Sequence, residues 1–408
     1  MSHKVAIIGG GAAGLMAAIV AAREGADVTL YEHNTSVGKK ILASGNGRCN
    51  IINTTSTAQD YFGNHPDFVT YALQQLPFTQ FLTFCHSIGL LLDVKEDGRC
   101  YPLSNEAKAV LNSLNSTAKN SGVKILTEKK VTKISQSEES FILHIDNVKT
   151  KYEKILIATG SEAAPQLGAS DDGYRFAATF GHTIIPTYPS LVQLHLNSKI
   201  HPKMAGVKTF AKVTLMINGK ESQAVQGDIL FASYGISGLA ILDISQKASN
   251  ALLNNHNVML HINLLPRFTP QELQCTLGQL IDAVPSHTLE TVLGGLLPAK
   301  TVPYICEAVV INPAKTVSML TPKERLNLTE VIQNWKFEVN GTHGFKHAEV
   351  SGGGVATRDI NPQTMESNLV KGLYFAGEVL DIVGRRGGYN FNFAWASGMI
   401  AGRHMAKK

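Results

Sequence analysis

Charged side chains are scarce in this sequence. Asp, Glu, Lys and Arg make up 17% of its 408 residues, against about 25% in ordinary globular chains. With 44% apolar residues, that scarcity excludes a disordered chain and leaves ample material for a large core. The charge present nearly cancels: 37 basic against 32 acidic residues give +5. This bias suits an anionic ligand and is too weak to argue for nucleic acid by itself. Cysteine is sparse too. Cys49, Cys85, Cys100, Cys275 and Cys306 are odd in number and contain no CxxC pair. Neither a disulfide framework nor a zinc site fits, and a reducing cytoplasm is the expected compartment. No HExxH, GxSxG or Walker lysine motif occurs, which disfavours zinc protease, serine hydrolase and nucleotide triphosphatase chemistry. The longest apolar stretch, Val5 to Ala22, carries Gly9, Gly10, Gly11 and Gly14. A strand, a turn and a helix explain it better than a membrane span or signal peptide, so no membrane partner is expected.

What is there begins with that stretch. Val5 to Ile8 reads as a buried parallel strand, residues 12–24 as an alanine-rich helix ending at Gly25, and Asp27 to Glu32 as a second strand. Together they form a β-α-β unit within about 30 residues. Residues 104–120 read as a helix. Strands are expected at Val123–Thr127, Val131–Ser135 and Phe141–Ile145, an antiparallel meander returning to a buried strand at Lys154–Thr159. Residues 190–265 alternate in period two around turns such as Asn218-Gly219, the pattern of a β-rich domain. Residues 270–320 are helical by pattern, broken at Pro285, Pro298, Pro303 and Pro313. A strand at Trp335–Val339 closed by Asn340-Gly341 follows, then a buried strand at 372–377 and a terminal helix over 390–405. The simplest organisation is one α/β domain made from both ends of the chain, with residues 190–345 inserted.

Gly9-x-Gly11-x-x-Gly14 follows a strand and opens a helix. Glycines there allow a tight turn, close approach of a pyrophosphate and close helix–strand packing, while helix amides and the positive dipole end hold the phosphates. Glu32, 18 residues past Gly14, can accept bonds from ribose hydroxyls and argues against a 2′-phosphate. The unit suits NAD or the ADP half of FAD equally. Two further segments favour the flavin. Gly38 to Asn50 is a glycine-punctuated loop with Lys39, Lys40 and Arg48, able to wrap a pyrophosphate. Gly372 to Asp381 is a strand ending in Gly377 and Glu378, an acid suited to the ribitol of FAD. Gly387-Gly388-Tyr389-Asn390 then opens the last helix, whose amides and dipole can face the flavin pyrimidine edge.

On these motifs the sequence resembles the YhiN/BaiN-like flavoproteins, a family that also includes an aminoacetone oxidase. The matching segments are GGGAAG (9–14), GKKILASGNGRCN (38–50), Asp172-Gly-Tyr174, GISG (235–238), TMESN (364–368), GLYFAGEVLD (372–381) and GGYN (387–390). The resemblance implies an α/β fold: a glutathione-reductase-like Rossmann FAD-binding domain with an inserted β-barrel domain and a small helical subdomain. The expected boundaries are 1–189 with 346–408 for the FAD domain, 190–265 with 321–345 for the barrel, and 266–320 for the helices. Carried over residue by residue, FAD contacts fall on Gly9, Gly11, Ala12, Gly14, Glu32, Lys40, Arg48, Asn50, Gly377, Glu378, Gly388, Tyr389 and Asn390. Val131 sits where this fold gives backbone contacts to adenine, Gly160 at the end of the strand at 154–159 is a further expected cofactor contact, and Ser351–Gly354 resembles the family's glycine stretch near the flavin. The chain also departs from the family pattern. Ser161 and Asp171 stand where glycines are usual, Gln193 and Leu239 where prolines are common, and Asn392 where a glutamine is frequent.

The expected activity is that of an FAD-dependent oxidoreductase. Hydride passes between flavin N5 and a small organic substrate held between the FAD domain and the insertion. Amine oxidation and C=C reduction remain equal alternatives, and the sequence names neither substrate nor oligomeric state. There is no second GxGxxG-plus-acid unit, so NAD(P)H as electron donor would bind without a dedicated domain. A lone Cys49 beside the glycine loop reads as packing, no redox pair accompanies it, and no metal is expected. Tyr389, Tyr174 and His347 are the candidate catalytic residues, with His182, Tyr234 and His343 as further proton donors or substrate contacts. Arg385 and Arg386 read first as a solvated turn. The alternative functions are a flavoprotein with an RNA-modification or assembly role, for which no aromatic-plus-basic stripe is found, and an NAD-only dehydrogenase. No nucleic-acid partner is expected.

Overall fold

The structure, a computed structural model, describes residues 3–138 and 140–407. Its first strand, β1 (Lys4–Ile8), buries Val5, Ala6 and Ile7 completely. Helix α1 (Ala12–Arg23) and strand β2 (Asp27–Tyr31) follow, and β1 and β2 pair in parallel from Lys4↔Asp27 to Ile8↔Tyr31. Apolar β-branched side chains on both faces of β1 are what a strand covered by helices on both sides requires. The sheet has five parallel strands in the order Leu373–Phe375, Lys154–Ile157, β1, β2, Lys124–Leu126. The last of these corrects the sequence reading. The strand expected at Val123–Thr127 belongs to the parallel sheet, because its pairing partner is β2. The antiparallel meander is instead Val131–Ser137, Ser140–Ile145 and Val148–Tyr152.

The chain's two ends meet along α1. The C-terminal helix Tyr389–Ala406 lies against it, and two glycines permit the approach. A Cβ at Gly398 would stand 2.4 Å from the Ala13 carbonyl oxygen, and one at Gly402 2.6 Å from that of Ala17. Small residues spaced four apart on both helices bring the two backbones into contact. The first and last sequence motifs therefore flank the same sheet.

The chain divides into two compact units: residues up to Tyr188 together with those from Glu349 onward, and Pro189–Ala348. The second unit is built on a closed six-stranded barrel in the order Leu194–Leu196, Gly235–Ser237, Lys220–Ala232, Lys208–Ile217, Val258–Asn263, Trp335–Thr342. Its interior is filled by Leu194, Val213, Leu215, Ile229, Phe231, Leu260, Ile262 and Phe337, all at most 3% exposed. Asn218 (φ 50°) and Gly219 (φ 77°) make the expected two-residue hairpin turn, where both residues need the left-handed region. Two expectations fail here. Leu239–Leu253, read as part of a β-rich span, is a helix burying Ala240, Ile241, Ile244 and Ala248. Asn340-Gly341 does not end its strand, which runs on to Thr342 through pairing with Leu194–His195. Helices Pro270–Ala283, Leu289–Gly294, Val302–Ala308 and Pro322–Gln333 complete the unit. Two of them open on Thr–Pro capping boxes, at Thr269 and Thr321.

Candidate functional site

The glycine turn after β1 has the shape a phosphate cradle needs. Gly9 sits at φ +108°, with its Cβ position 2.3 Å from the Ala158 oxygen, and Gly14 packs onto Gly9, 2.0 Å from its carbonyl oxygen. Both sites are closed to any side chain. Gly11 is different: it caps α1 with no side-chain partner, and a Cβ there meets nothing within 4 Å. The unbonded amides of the first helical turn, beginning at Ala12, open onto that free space.

Glu32 at the end of β2 is buried, and its carboxylate is fixed in place. One oxygen accepts from the Gly10 amide at 2.9 Å, the other from the Asn34 amide and side chain, both at 2.8 Å. Its own carbonyl accepts from the Lys129 amide at 2.9 Å, which places Val131 two residues along the same crossing. The loop 38–50 joins this group directly, since the Gly38 amide donates to the Gly10 oxygen at 2.9 Å. Within the loop, Gly45, Asn46, Gly47 and Cys49 all adopt left-handed φ. Cys49 is fully buried, and burial pushes its thiol up to about 12, which suits packing. The Arg48 guanidinium is exposed, donating to the Gly45 oxygen at 3.1 Å and lying 5.3 Å over the Tyr101 ring.

Three segments distant in sequence converge on Glu378. Lys40 forms an ion pair with its Oε2 at 2.6 Å. Its Oε1 accepts from the Ser161 hydroxyl at 2.7 Å and the Ser351 amide at 3.0 Å. Sequence reasoning found Lys40 and Glu378 separately and missed their pairing. It also missed the role of Ser161, whose only signal was standing where a glycine is usual. The neighbouring Gly377 (φ +75°) lies against Ala13, its Cβ position 2.9 Å away, so the Glu378 segment and the start of α1 share one wall. Gly160, left-handed at φ +76°, opens onto free space as Gly11 does.

The C-terminal helix starts at Tyr389, capped by Gly388 at φ +98° with no side-chain partner. A Cβ on Gly388 would lie 2.6 Å from the Ile52 carbonyl carbon and 2.9 Å from Asn50 Oδ1, so this turn seats on the 50–53 segment. Asn53 completes the seat by donating to the Gly387 oxygen at 3.0 Å. Asn390 turns its amide to the preceding loop: Oδ1 accepts from the Gly384 amide at 2.8 Å, and Nδ2 donates to the oxygens of Gly384 and Arg385. Its side chain shapes the turn, leaving the backbone at 388–390 as the part that can face a ligand.

Buried polar atoms without partners occur in both units, and four of those in the first lie in or next to these motifs. Asn50 Oδ1, Thr159 Oγ1, the Tyr174 hydroxyl and Asn392 Oδ1 are buried and unsatisfied. Each such group costs about 1–3 kcal/mol when nothing pairs with it. Open space over Gly11 and Gly160, helix-start amides and these unpaired atoms are donors and acceptors of the kind that a dinucleotide carrying a polar ring takes. The residues present fit FAD.

The candidate catalytic residues do not assemble into one group. Tyr389 is half-buried, its ring edge-on to Tyr61 at 6.3 Å. Tyr174 lies beside Gly354, and burial, with Glu378 and Glu162 adding to it, pushes its hydroxyl pKa well above the usual value. His182 is buried with Nε2 bonded to the Ser367 hydroxyl at 2.9 Å, a structural use. His347, His343 and Tyr234 belong to the barrel unit, where they touch one another and His195, a residue the sequence did not single out.

Comparison with known proteins follows from this geometry. The family model for the HI0933-like protein Rossmann domain matches residues 3–404. The chain is 34% identical over 408 residues to the 3-dehydro-bile acid delta(4,6)-reductase of Clostridium scindens, covering 100% of both. It is 34% identical over 403 residues to the ribosomal RNA dihydrouridine synthase of Haemophilus influenzae, covering 96% of this chain and 95% of that one. Among solved structures, 3-ketosteroid delta1-dehydrogenase from Sterolibacterium denitrificans aligns over 99% of each chain with a TM-score of 0.51 at 11% identity, a likeness of fold.

Proposed function

The chain belongs to the HI0933-like Rossmann-domain family, and from that premise we propose that it reduces a carbon–carbon double bond conjugated to a carbonyl in a small organic molecule. It is an FAD-dependent oxidoreductase. The observation that carries the finer reading is chemical. The names of two full-length relatives describe reduction of a 3-dehydro-bile acid at delta(4,6) and formation of dihydrouridine. In a 3-oxo-4-ene and in uracil alike, the reducible C=C is conjugated to a carbonyl. One acceptor chemistry therefore covers both, whereas amine oxidation covers neither.

When bound, FAD supplies hydride transfer to the β-carbon, with NAD(P)H as the donor that restores it. The chain's own part is to hold and shape. The amides at Gly11 and Ala12 would take the pyrophosphate, and Glu32 would take the adenosine ribose. Lys40, Ser161 and the Ser351 amide fix the Glu378 carboxylate, which would then hold the polyol. The amides opening the Tyr389–Ala406 helix would stabilise negative charge at the pyrimidine edge. A proton must reach the α-carbon, so that two electrons and two protons enter the double bond. Among the hydroxyls and imidazoles of the first unit, Tyr174 and Tyr61 are held protonated by burial and His182 is used structurally.

The test is anaerobic. Photoreduced protein is mixed with a 3-oxo-4,6-diene bile acid, with UMP, or with uridine-containing ribosomal RNA, and flavin reoxidation is followed with product analysis. Reoxidation by the dienone with loss of its conjugated absorbance supports the reading. Reoxidation by RNA alone shifts the substrate to uridine in RNA, the reading favoured by the Haemophilus relative. Reoxidation by none, with amines reducing the oxidised protein, overturns it.

A further inference from the structure

The first unit carries a small sheet that ends in an open strand. Three strands pair antiparallel in the order Ile52–Asn53, Arg99–Pro102, Leu92–Val94, and the last has a neighbour on one side only. The Lys95 amide donates to the Arg99 oxygen, and the Leu91 oxygen accepts from the Leu103 amide, both at 2.8 Å. Leu91 and Lys95 thus turn their backbone groups into the sheet. Antiparallel alternation then turns the N–H and C=O of Leu92 and Val94 outward. Among the described residues nothing bonds to these four groups. Apolar side chains gather at the same edge: Leu91 is 56% exposed, Val94 48% and Leu103 62%. Singly exposed apolar residues are ordinary, but three of them beside an unpaired strand make a surface suited to pairing with another chain.

The charges on the strand decide which chain that is. Charge of a single sign protects an edge, because a second copy brings the same sign opposite. Here the signs alternate. Asp93 and Lys95 flank Val94 and pair with each other at 2.6 Å, both side chains being exposed. Read against itself in the reverse direction about Val94, the segment sets Asp93 of each copy opposite Lys95 of the other. Glu96 then falls opposite Leu92, and Asp97 is already held by Arg99 at 2.6 Å, so no like charges stand directly opposite. A pairing centred on Asp93 or Lys95 opposes like charges and turns the wrong backbone groups to the seam. One centred on Leu92 leaves both charges without an opposite. The register at Val94 alone satisfies backbone and charge together.

We propose that this edge pairs with a second copy of the chain, strand Leu92–Val94 against itself about a two-fold axis at Val94. The Val94 amide of each copy donates to the Val94 oxygen of the other, the two valine side chains meet on one face, and the paired Asp93 and Lys95 side chains lie on the opposite face. The 96–98 turn of the other copy comes to lie beside Leu91. The contact uses the same patch on both copies, so it closes at two. It joins two three-stranded sheets into one of six. The outermost strand at each end is Ile52–Asn53, the segment on which Gly387 and Gly388 sit, so both candidate cofactor seats hang on one sheet.

The test is sedimentation velocity of the full-length protein over a concentration series. The wild type is expected to pass from monomer to dimer as concentration rises, and added salt weakens the dimer. Val94→Pro removes the central amide of the seam. Because that amide has no partner within the single chain, the variant keeps its flavin content and its melting temperature at low concentration and loses the dimer. Lys95→Asp sets acid opposite acid and raises the dimer Kd about tenfold or more. Combining Asp93→Lys with Lys95→Asp restores opposite charges in reversed order, and the dimer returns. A wild type that is monomeric at every concentration overturns the proposal, as does a dimer that survives both Val94→Pro and Lys95→Asp. A charge-swapped protein that dimerises no better than Lys95→Asp alone also overturns it, since the register at Val94 would then be wrong.

Discussion

Replacing Gly11 and Gly14 in turn by alanine separates a phosphate cradle from an ordinary tight turn. Gly11 has φ −80° and ψ −166°, extended backbone that any residue adopts, and its Cβ meets nothing within 4 Å. In the cofactor-free protein Gly11→Ala is therefore neutral or stabilising, by about 0.4–1 kcal/mol through the unfolded chain. The same methyl group would stand in the space through which, in the proposed cradle, a pyrophosphate reaches the α1 amides. Each charge-assisted hydrogen bond lost there is about 1.5–3 kcal/mol, and 1.4 kcal/mol is tenfold in Kd. FAD affinity then falls on the order of tenfold to a hundredfold per bond. Gly14→Ala behaves oppositely. Its Cβ would lie 2.0 Å from the Gly9 oxygen, so α1 must shift by about an ångström, an overpacking cost of about 1–3 kcal/mol already present without cofactor. Melting curves of the cofactor-free variants and FAD titration by flavin fluorescence read the two effects separately. Wild-type FAD affinity in Gly11→Ala would refute the cradle. A lowered melting temperature in cofactor-free Gly11→Ala would show that the glycine serves the turn alone.

Lys40→Met leaves the half-buried Glu378 carboxylate with only the Ser161 and Ser351 donors. The loss lies between those of exposed and buried ion pairs, about 1–2 kcal/mol in urea unfolding, and a double-mutant cycle with Glu378→Gln that gives strict additivity contradicts the pairing. Burial lowers the His182 pKa below 6.5, so at pH values under 6.5 the unfolded chain binds more protons than the folded one. Its contribution is complete above pH 6.5 and is lost as pH falls toward the folded value. The urea midpoint should thus decline from pH 7.5 to 5, less steeply in His182→Gln; equal slopes refute the assignment. Burial raises the thiols of Cys49 and Cys85 to about 12 and those of Cys100 and Cys306 to about 11, while Cys275 is exposed. A thiol-reactive dye at pH 8 should label one cysteine quickly in the native protein and five after unfolding, and fast labelling of two or more contradicts that burial.

The Rossmann half of the fold was legible because its signals are local. Complete burial makes β1 a continuous apolar run, and glycine spacing marks the turn, so a dozen residues specify strand, turn and helix together. What was lost depends on partners remote in sequence. Lys124–Leu126 looks like any short apolar strand, and only pairing with β2 makes it parallel. Asn340-Gly341 has the composition of a hairpin turn, yet the strand continues because Leu194 and His195 supply a neighbour. The missed helix has a more specific cause. Leu239 is its first residue, the position where proline is most favoured because no amide partner is lost there. The family commonly has proline at this place. With leucine instead, the start signal was absent, and the helix ran unmarked into a span of alternating strands.

The departures from the family pattern explain what was legible of the site. Positions that need glycine were readable where the requirement is one of backbone, as at Gly9, Gly14, Gly377 and Gly388, since a Cβ at each would meet a neighbour between 2.0 and 2.9 Å away. Side-chain roles were not readable, because they are set by which segments converge. Ser161 looked like a lost glycine and is instead a donor to Glu378, reinforcing a carboxylate already held by Lys40 and Ser351. Asp171 likewise looked like a lost glycine and pairs with Arg175 one helical turn on, at 3.3 Å. Gln193 and Asn392 go the other way, each leaving a buried carbonyl oxygen unpaired. Where a substitution adds a partner the loop is knitted more tightly. Where it leaves an acceptor empty, as at Gln193 and Asn392, the fold carries the cost of a buried unpaired oxygen, about 1–3 kcal/mol each.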